Sequence, residues 1–401
     1  MRRPMLMWLE LAGWFGLALV YLAVLGKEIA LWWQLFIIWT GFMVLYLILR
    51  RLGHRAECLL PTAFLVGLGW LFMLRIQPAY ASQQFRGFLV GSAAFCVGIW
   101  GGWTRTRVKY IFGLSALLML AATLTFGTRV GGAKAWLDLG IIRFQPVEFA
   151  RVLLVMFIVR YLVENRTLLN AKHGWAAIKY WGPLMVFVSG VFLLLAVQRD
   201  LGPALLLYAV FCLLAAAVVF SWRLIAASLV IAAAAFGAAF YIFPHLRTRL
   251  TAWLSPWDYA EGAGYQVLQG LFALNRGKVL GKGIGLGLGE VIPEVHTDFI
   301  FALIGEELGF FGAAAVLSAY LLLAYSGIKL ARDAAEPLEY YTALGIVLLW
   351  SVQVFMVVGG ILRVLPVTGM TLPFLSYGSS SLAAQMWMLG ILVSIGQVRP
   401  E

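Results

Sequence analysis

The chain has 401 residues, 63% of them apolar and 12% charged. An ordinary soluble domain has about 45–50% and about 25%, so the composition excludes a soluble enzyme. Thirty Lys and Arg against eighteen Asp and Glu give a net charge of +12, which in so apolar a chain reads as basic loops facing anionic lipid headgroups and not as a nucleic-acid surface.

In chain order, apolar runs separated by charged residues predict spans near 11–25, 30–49, 59–76, 87–101, 109–126, 149–163, 181–197, 202–220, 223–243, 299–325, 340–362 and 381–397. Runs of about 20 residues suit a bilayer, so the expected fold is an all-α, polytopic integral membrane bundle of about twelve transmembrane helices. The first run continues into a second span without a small-residue cleavage site, and no cleavable signal peptide is expected. Cys58, Cys96 and Cys212 lie in or beside the runs without paired spacing and give neither a zinc site nor a disulfide framework. Basic residues, from Arg2 and Arg3 through Arg50, Arg51, Arg55, Arg105, Arg107, Lys172, Arg223 and Lys329 to Arg399, fall on one side of alternate loops. The basic side is the cytoplasm, which places both termini inside and the two longest connections, 127–148 and 244–298, outside. Within the second, Gly281, Gly283, Gly285, Gly287 and Gly289 alternate strictly. This spacing allows a tight, close-approach backbone and fits neither the phosphate-loop nor the dinucleotide fingerprint.

An ionisable group inside hydrocarbon costs about 2.5–3.5 kcal/mol on insertion scales, so each one needs a partner or a water-filled cavity. In Gln145-Pro146-Val147-Glu148, proline suits the first turn of a helix, and a three-residue spacing puts Arg151 on the face of Glu148. The pair reads either as the charged mouth of a cavity or as a salt bridge that locks a helix start. Gln198-Arg199-Asp200-Leu201-Gly202-Pro203 is a short polar turn, whose plain reading has Asp200 capping the next helix. In Pro293-Glu294-Val295-His296-Thr297-Asp298, Thr297 or Asp298 is a natural cap for the helix from Phe299. His296 has no visible Ser or Cys partner and reads first as a satisfied loop histidine, second as a base. Glu306 and Glu307 point to different faces of that helix, so at least one meets a polar interior or a basic partner. In Leu372-Pro373-Phe374-Leu375-Ser376-Tyr377-Gly378 and the three serines after it, small polar residues stand where the last span should start. Such backbone lines a cavity, packs within protein, or is a plain loop.

Taken in order, these strings resemble the RodA/FtsW/SpoVE (SEDS) family, the shape, elongation, division and sporulation proteins of bacterial cell-wall synthesis. The resemblance runs from about Leu59 to the C-terminus. Gly132-Ala133-Lys134-Ala135-Trp136 is similar to the string before the family's fourth span, Gln145 to Glu148 to its Gln-Pro-Ser-Glu, and Gln198 to Gly202 to its Gln-Pro-Asp-Leu-Gly. Tyr265-Gln266, Pro293 to Phe299, and Leu375-Ser376-Tyr377-Gly378 complete the order. Ala135, Val147, Arg151 and Ser379 depart from the family's Arg, Ser, Lys and Gly. The family's essential loop Asp aligns without gaps to Tyr259, one residue after Asp258. Ten spans are common in the family, which makes residues 1–55 an additional N-terminal pair and 56–401 the SEDS-type core.

The resemblance implies a peptidoglycan glycosyltransferase that polymerises lipid II into glycan strands at the outer face of the bacterial cytoplasmic membrane. In that role a loop carboxylate takes the proton of the attacking hydroxyl; Asp258 is the expected base and Glu261 its competitor. Lys134, Arg151, Arg247 and Arg249 are the expected cations for lipid pyrophosphate. Trp136, Glu148, Asp200, Tyr265, Gln266, Glu294, His296, Thr297, Asp298 and Ser376 carry over as substrate-binding residues. A divalent cation, Mg or Mn, suits a pyrophosphate, but no metal ligands are assigned. The implied partners are lipid II, the growing glycan strand, a single-span class B penicillin-binding transpeptidase and other elongation or division proteins. A lipid II flippase and a non-catalytic scaffold of the same fold are the alternatives. Ser255-Pro256-Trp257 and the extra N-terminal spans lean toward the division or sporulation branch.

Overall fold

The computed structural model describes residues 2–24, 31–103, 108–130, 133–138, 140, 143–169, 174–219 and 222–397. Gly132 of the first family string and Arg105, Arg107, Lys172 and Arg399 of the loop-charge pattern lie outside the described residues. The N-terminal helices are α1 (Arg2–Val24), α2 (Trp32–Arg51), α3 (Leu59–Ile76), α4 (Pro78–Trp100) and α5 (Lys109–Phe126). After them come α6 (Pro146–Glu164), the short α7 (Arg166–Leu169), α8 (Gly174–Val197), α9 (Leu201–Val219), α10 (Trp222–Ile242), α11 (Pro244–Leu254) and α12 (Tyr265–Gly277). The chain closes with α13 (Ile300–Arg332), α14 (Pro337–Ile361) and α15 (Ser379–Ile395). Each predicted apolar run overlaps one long helix. Among the described residues six helices are long and apolar enough to cross a membrane: α2, α3, α8 from Lys179, α9, α13 and α14.

Four helices open on proline, at Pro78, Pro146, Pro244 and Pro337, where the missing N–H is a donor the helix end would leave unpaired anyway. Pro78 therefore starts α4 well ahead of the run at 87–101 and brings Gln83 and Gln84 onto a helix.

The all-α expectation omits a small antiparallel sheet in the connection from α5 to α6. It comprises β1 (Thr128–Val130), β2 (Ala133–Asp138) and β3 (Arg143–Phe144), in that order. Thr128 stands opposite Trp136, and Leu137 opposite Phe144. Strands this short carry too few residues for an alternation to stand out from an apolar background. The connection 244–298 likewise holds α11, α12 and a 3-10 turn at Gly289–Val291. In α12 the buried Val267, Leu268, Gly270, Ala273 and Gly277 fall at helical spacing.

Among the described residues the most extensive helix contact joins α4 to α15, which is buried along nearly its whole length. Glycine permits it from both sides. A Cβ on Gly87 would lie 2.8 Å from Ser379 Cα, one on Gly98 2.5 Å from Trp387 O, and one on Gly390 would collide with Phe95 O.

α13 is two helical pieces joined at Gly309, whose φ of 67° and ψ of −163° break the helix. The glycine-rich segment wraps the break: Phe310 N donates to Lys278 O at 2.9 Å, Lys282 N to Glu306 O at 3.0 Å and Gly283 N to Glu307 O at 2.9 Å. Both acids find arginines, Glu306 pairing with Arg276 of α12 at 2.7 Å and Glu307 with Arg75 of α3 at 2.5 Å. Glu307 also accepts Gly285 N at 2.8 Å and Gly287 N at 3.3 Å. The alternating glycines thus serve close approach, since a Cβ on Gly281 would strike Glu307 O and one on Gly287 would lie 2.7 Å from Glu307 Cγ. Neither predicted cap forms at the start of α13: Phe299 is its N-cap, with no side-chain bond, and the Thr297 hydroxyl donates to Glu294 O at 3.0 Å instead. The cap position falls on Phe299, one residue after Asp298 and two after Thr297, so both stand too early to cap.

A Cβ at Gly277 would collide with Gly305 O, whereas one at Gly182 meets nothing within 4 Å. Gly277→Ala is expected to destabilise the protein by about 1–3 kcal/mol, and Gly182→Ala by no more than about 0.5 kcal/mol. Thermal unfolding in detergent checks this; equal melting temperatures would show that the α12–α13 approach is not a constraint.

Candidate functional site

Four of the motif strings converge at one end of the bundle. The first two turns of α6 supply Glu148 and Arg151, which form a buried ion pair at three-residue spacing, 5% and 1% exposed. Gln145 N donates to Ser380 Oγ at 3.1 Å, which fixes the start of α6 to the start of α15. In the turn between α8 and α9, Gln198 Nε2 donates to Leu120 O at 2.7 Å and Thr123 Oγ1 at 3.0 Å, while Lys134 N donates to Gln198 O at 3.1 Å. These bonds seat Asp200, whose Oδ2 is buried without a hydrogen-bond partner among the described residues. Arg151 Nε is buried and unpartnered in the same way.

The segment between α14 and α15 is the hub. A Cβ on Gly202, beside Asp200, would lie 2.7 Å from Thr368 O, and Arg249 of α11 donates to that same carbonyl at 2.9 Å. Tyr377 N donates to His296 O at 2.9 Å, and the Ser376 hydroxyl accepts Leu372 N at 2.8 Å and donates to Thr297 O. Gln84 of α4 brackets the same turn, donating to Ser376 O at 3.1 Å and accepting Gly378 N at 3.3 Å. The His296 ring stacks on Tyr80 at 4.6 Å, with Tyr377 at 5.4 Å. Gln266 Nε2 donates to Pro293 O at 3.2 Å, tying the start of α12 to the turn that carries Glu294 at a φ of 53°.

Electrostatics unify the cluster. Burial, with the Glu148 carboxylate adding to it, pushes the Asp200 carboxyl up to about 6 against the pull of Arg249 and Arg151. Burial also pushes Asp298 up to about 6, opposed by its own backbone N–H, by Thr297 and by Arg249. Arg249 therefore acts on both acids. Burial pulls His296 down despite Glu294, which favours the neutral ring.

Other expected residues stand elsewhere. Lys134 donates its ammonium to Leu124 O and Thr125 O at the end of α5, and Arg247 donates to Phe240 O at 2.9 Å and Tyr241 O at 2.7 Å at the end of α10. Both cations are thus committed to helix C-termini, where the unpaired carbonyls attract them. Trp136 lies on β2 and is half-buried. Asp258, Glu261 and Tyr265 are exposed in and after the 255–264 loop, and the two carboxylates make no hydrogen bond or ion pair among the described residues.

The sequence reading missed Arg75, Tyr80, Gln84 and Arg276. Arg75 had a signal, a charge inside the apolar run at 59–76; the others become visible only through packing. For a divalent cation the donors fit poorly. Among the described residues no three His, Cys, Asp or Glu side chains converge, and Arg151 and Arg249 already stand beside Glu148 and Asp200.

The sequence model for FtsW, RodA and SpoVE, described as "Cell cycle protein", matches residues 78–400. The chain belongs to the FtsW/RodA/SpoVE family. The peptidoglycan glycosyltransferase RodA of Mycobacterium tuberculosis is 35% identical over 392 residues, covering 90% of this chain and 82% of its own. A probable peptidoglycan glycosyltransferase FtsW of Shewanella sediminis is 38% identical over 293 residues, 70% of this chain and 69% of its own. The stage V sporulation protein E of Bacillus subtilis is 29% identical over 304 residues, 74% and 80%. A peptidoglycan synthase complex described as coordinating polymerization and crosslinking matches with a TM-score of 0.70 and 26% identity over 85% of this chain and 97% of that one. The rod shape determining protein RodA of Thermus thermophilus, at 24% identity, shares the fold with a TM-score of 0.64 over 87% and 99%. As in the sequence reading, then, this FtsW/RodA/SpoVE member is a helical membrane protein, and its relatives come from all three branches.

Two measurements probe the cluster of this family member. Asp200 holds its proton more tightly when native, at about 6, than unfolded, at about 3.9. Stability is therefore lost as pH rises from about 4 to about 6, and above about 6 the loss is complete and constant. Asp200→Asn is expected to melt higher than the wild type at neutral pH, the gap closing toward about pH 4; a lower melting point at neutral pH would mean the carboxylate is favourably paired. Glu148→Gln is expected to harm the protein more than the swap Glu148→Arg with Arg151→Glu, since the single change strands a buried cation. Equal damage in a folding assay would show that the two residues act separately.

Proposed function

We propose that the chain is a peptidoglycan glycosyltransferase polymerising lipid II, and that the cluster around Asp200 and Arg249 binds the substrate headgroup. The observation that carries this is the meeting of four family strings on one buried group of charges with atoms unpartnered among the described residues, Asp200 Oδ2 and Arg151 Nε. Such atoms suit a polar ligand, because burying them unpaired is unfavourable. The relatives at 35% and 38% identity are named for the same activity.

In the reaction, the 4-hydroxyl of an acceptor sugar attacks the anomeric carbon of the donor. The new glycosidic bond forms as the bond to lipid pyrophosphate breaks, and the hydroxyl proton passes to a carboxylate. Asp258 is the proposed base, with Glu261 its competitor: both are exposed, on a loop that runs directly into α12, whose Gln266 is bonded to the Pro293–Asp298 turn. Arg151 and Arg249 are the cations left to hold pyrophosphate, since Lys134 and Arg247 bind helix ends. Any divalent cation would enter with the pyrophosphate.

The same reading places the chain in the bacterial cytoplasmic membrane with twelve spans, both termini in the cytoplasm and the cluster at the outer face. Residues 1–55 are an added helix pair on the core, held by bonds such as Trp70 Nε1 to Gln34 Oε1 at 3.0 Å. A single-span class B transpeptidase is the proposed partner, in line with the coordinated polymerization and crosslinking of the matched synthase complex. Glu306 and Glu307, each paired with an arginine, fit either a polymerase or the flippase alternative.

Purified protein incubated with lipid II, with and without a transpeptidase partner, tests the activity. Asp258→Asn is expected to abolish polymerisation with folding intact, as the amide keeps the shape but takes no proton. Loss in Glu261→Gln alone would move the base there. Loss in neither variant would sink the loop-carboxylate mechanism.

A further inference from the structure

The structure holds a second fastening of the 255–264 loop that neither the family strings nor the chemistry above uses. α11 ends at Leu254, just ahead of that loop, and its last turn has no basic side chain. The carbonyls of a last turn need donors from elsewhere. Arg363, half-buried after α14, supplies them: Nε donates to Trp253 O at 2.8 Å and Nη2 to Leu254 O at 2.6 Å. The Trp253 indole returns a bond to Arg363 O at 3.0 Å. Arg363 has a φ of 59°, a left-handed conformation that a residue with a Cβ holds only when its surroundings impose it.

Beyond the latch, the loop is bonded to itself. Asp258 N donates to Ser255 O at 3.2 Å, and Gly262 N and Gly264 N both donate to Tyr259 O at 3.0 Å. A Cβ on Gly264 would collide with Pro256 O, so the two ends of the loop lie against each other. A loop closed in this way turns with whatever holds its leading end. Arg249 holds α11 to Thr368 O, so Arg363 gives the helix its second point of attachment to the segment that borders Asp200 and Thr297.

We propose that Arg363 is a positioning residue, fixing the angle at which the 255–264 loop and its carboxylate stand against the Asp200–Arg249–Asp298 cluster. This rests on the loop-carboxylate reading of the reaction. Arginine suits the task because its planar fork serves two adjacent carbonyls at once and its charge matches the negative end of α11. Lysine would serve one of them.

Arg363→Gly separates the fork from the backbone path, since glycine adopts a φ near 59° without strain. In the full chain, kcat for lipid II polymerisation is expected to fall about ten- to a hundredfold with KM within about twofold. The melting temperature should stay within about 3 °C, amide exchange in 255–264 should quicken, and Arg363→Lys should recover part of kcat. Wild-type kcat in the glycine variant overturns the proposal, as does a raised KM at constant kcat, or a lowered melting temperature whose activity loss lysine does not relieve. Asp258→Asn and Glu261→Gln are assayed alongside. Full polymerisation in both fails the loop-carboxylate reading itself, whereas loss in one of them beside a fully active Arg363→Gly fails the latch alone.

Discussion

A charge buried in an apolar bundle must be neutralised where it stands, because the surroundings offer no water to do it. The architecture follows that constraint. Arg75 on α3 is buried against Glu307 of α13 and Gly287 O of the glycine-rich strap, which packs where α13 breaks at Gly309. The same rule builds the cluster at the motif end, where Glu148 and Arg151 neutralise each other and Arg249 faces two acids. Among the described residues the hydrogen bonding there is incomplete, with Asp200 Oδ2 and Arg151 Nε unpartnered, as Glu306 Oε2 and Arg276 Nη2 are beside the strap. Balanced charge with spare donors and acceptors is what a site for a polar headgroup requires.

The segment between α14 and α15 turns this chemistry into geometry. It has almost no regular structure, yet its carbonyls and amides bind groups from α4, α11, α14 and the turn before α13. The serines here act mainly as joints. Ser376 of the segment links two turns, and Ser380 in the first turn of α15 links β3 to the start of α6, which explains small polar residues where an apolar span was expected to begin.

How far the sequence discloses this depends on whether the deciding physics is local. The long helices were legible because apolar runs report burial residue by residue, and the Glu148–Arg151 pair because one helical turn contains both partners. The close approach of the alternating glycines was legible too, although what they approach was not. Arg75 and Glu307 meet from 232 positions apart in the chain, and no local pattern names a partner that distant. Thr297 and Asp298 were misread as caps for a related reason: their types suit a cap, but the turn before α13 spends the Thr297 hydroxyl on its own carbonyl. Lys134 and Arg247 look like free cations in a string and are bound to helix ends in space.

The separation between Arg75 and Glu307, 232 positions along the chain, bears on how the protein is made. At about 5–20 residues per second, α3 enters the membrane tens of seconds before its counter-ion exists. The nascent N-terminal half must therefore carry a stranded guanidinium through insertion, kept near the headgroups or screened by the insertion machinery. Only when α12 and α13 emerge can Arg75 meet its counter-ion, so the last third of the chain completes the seating of the first.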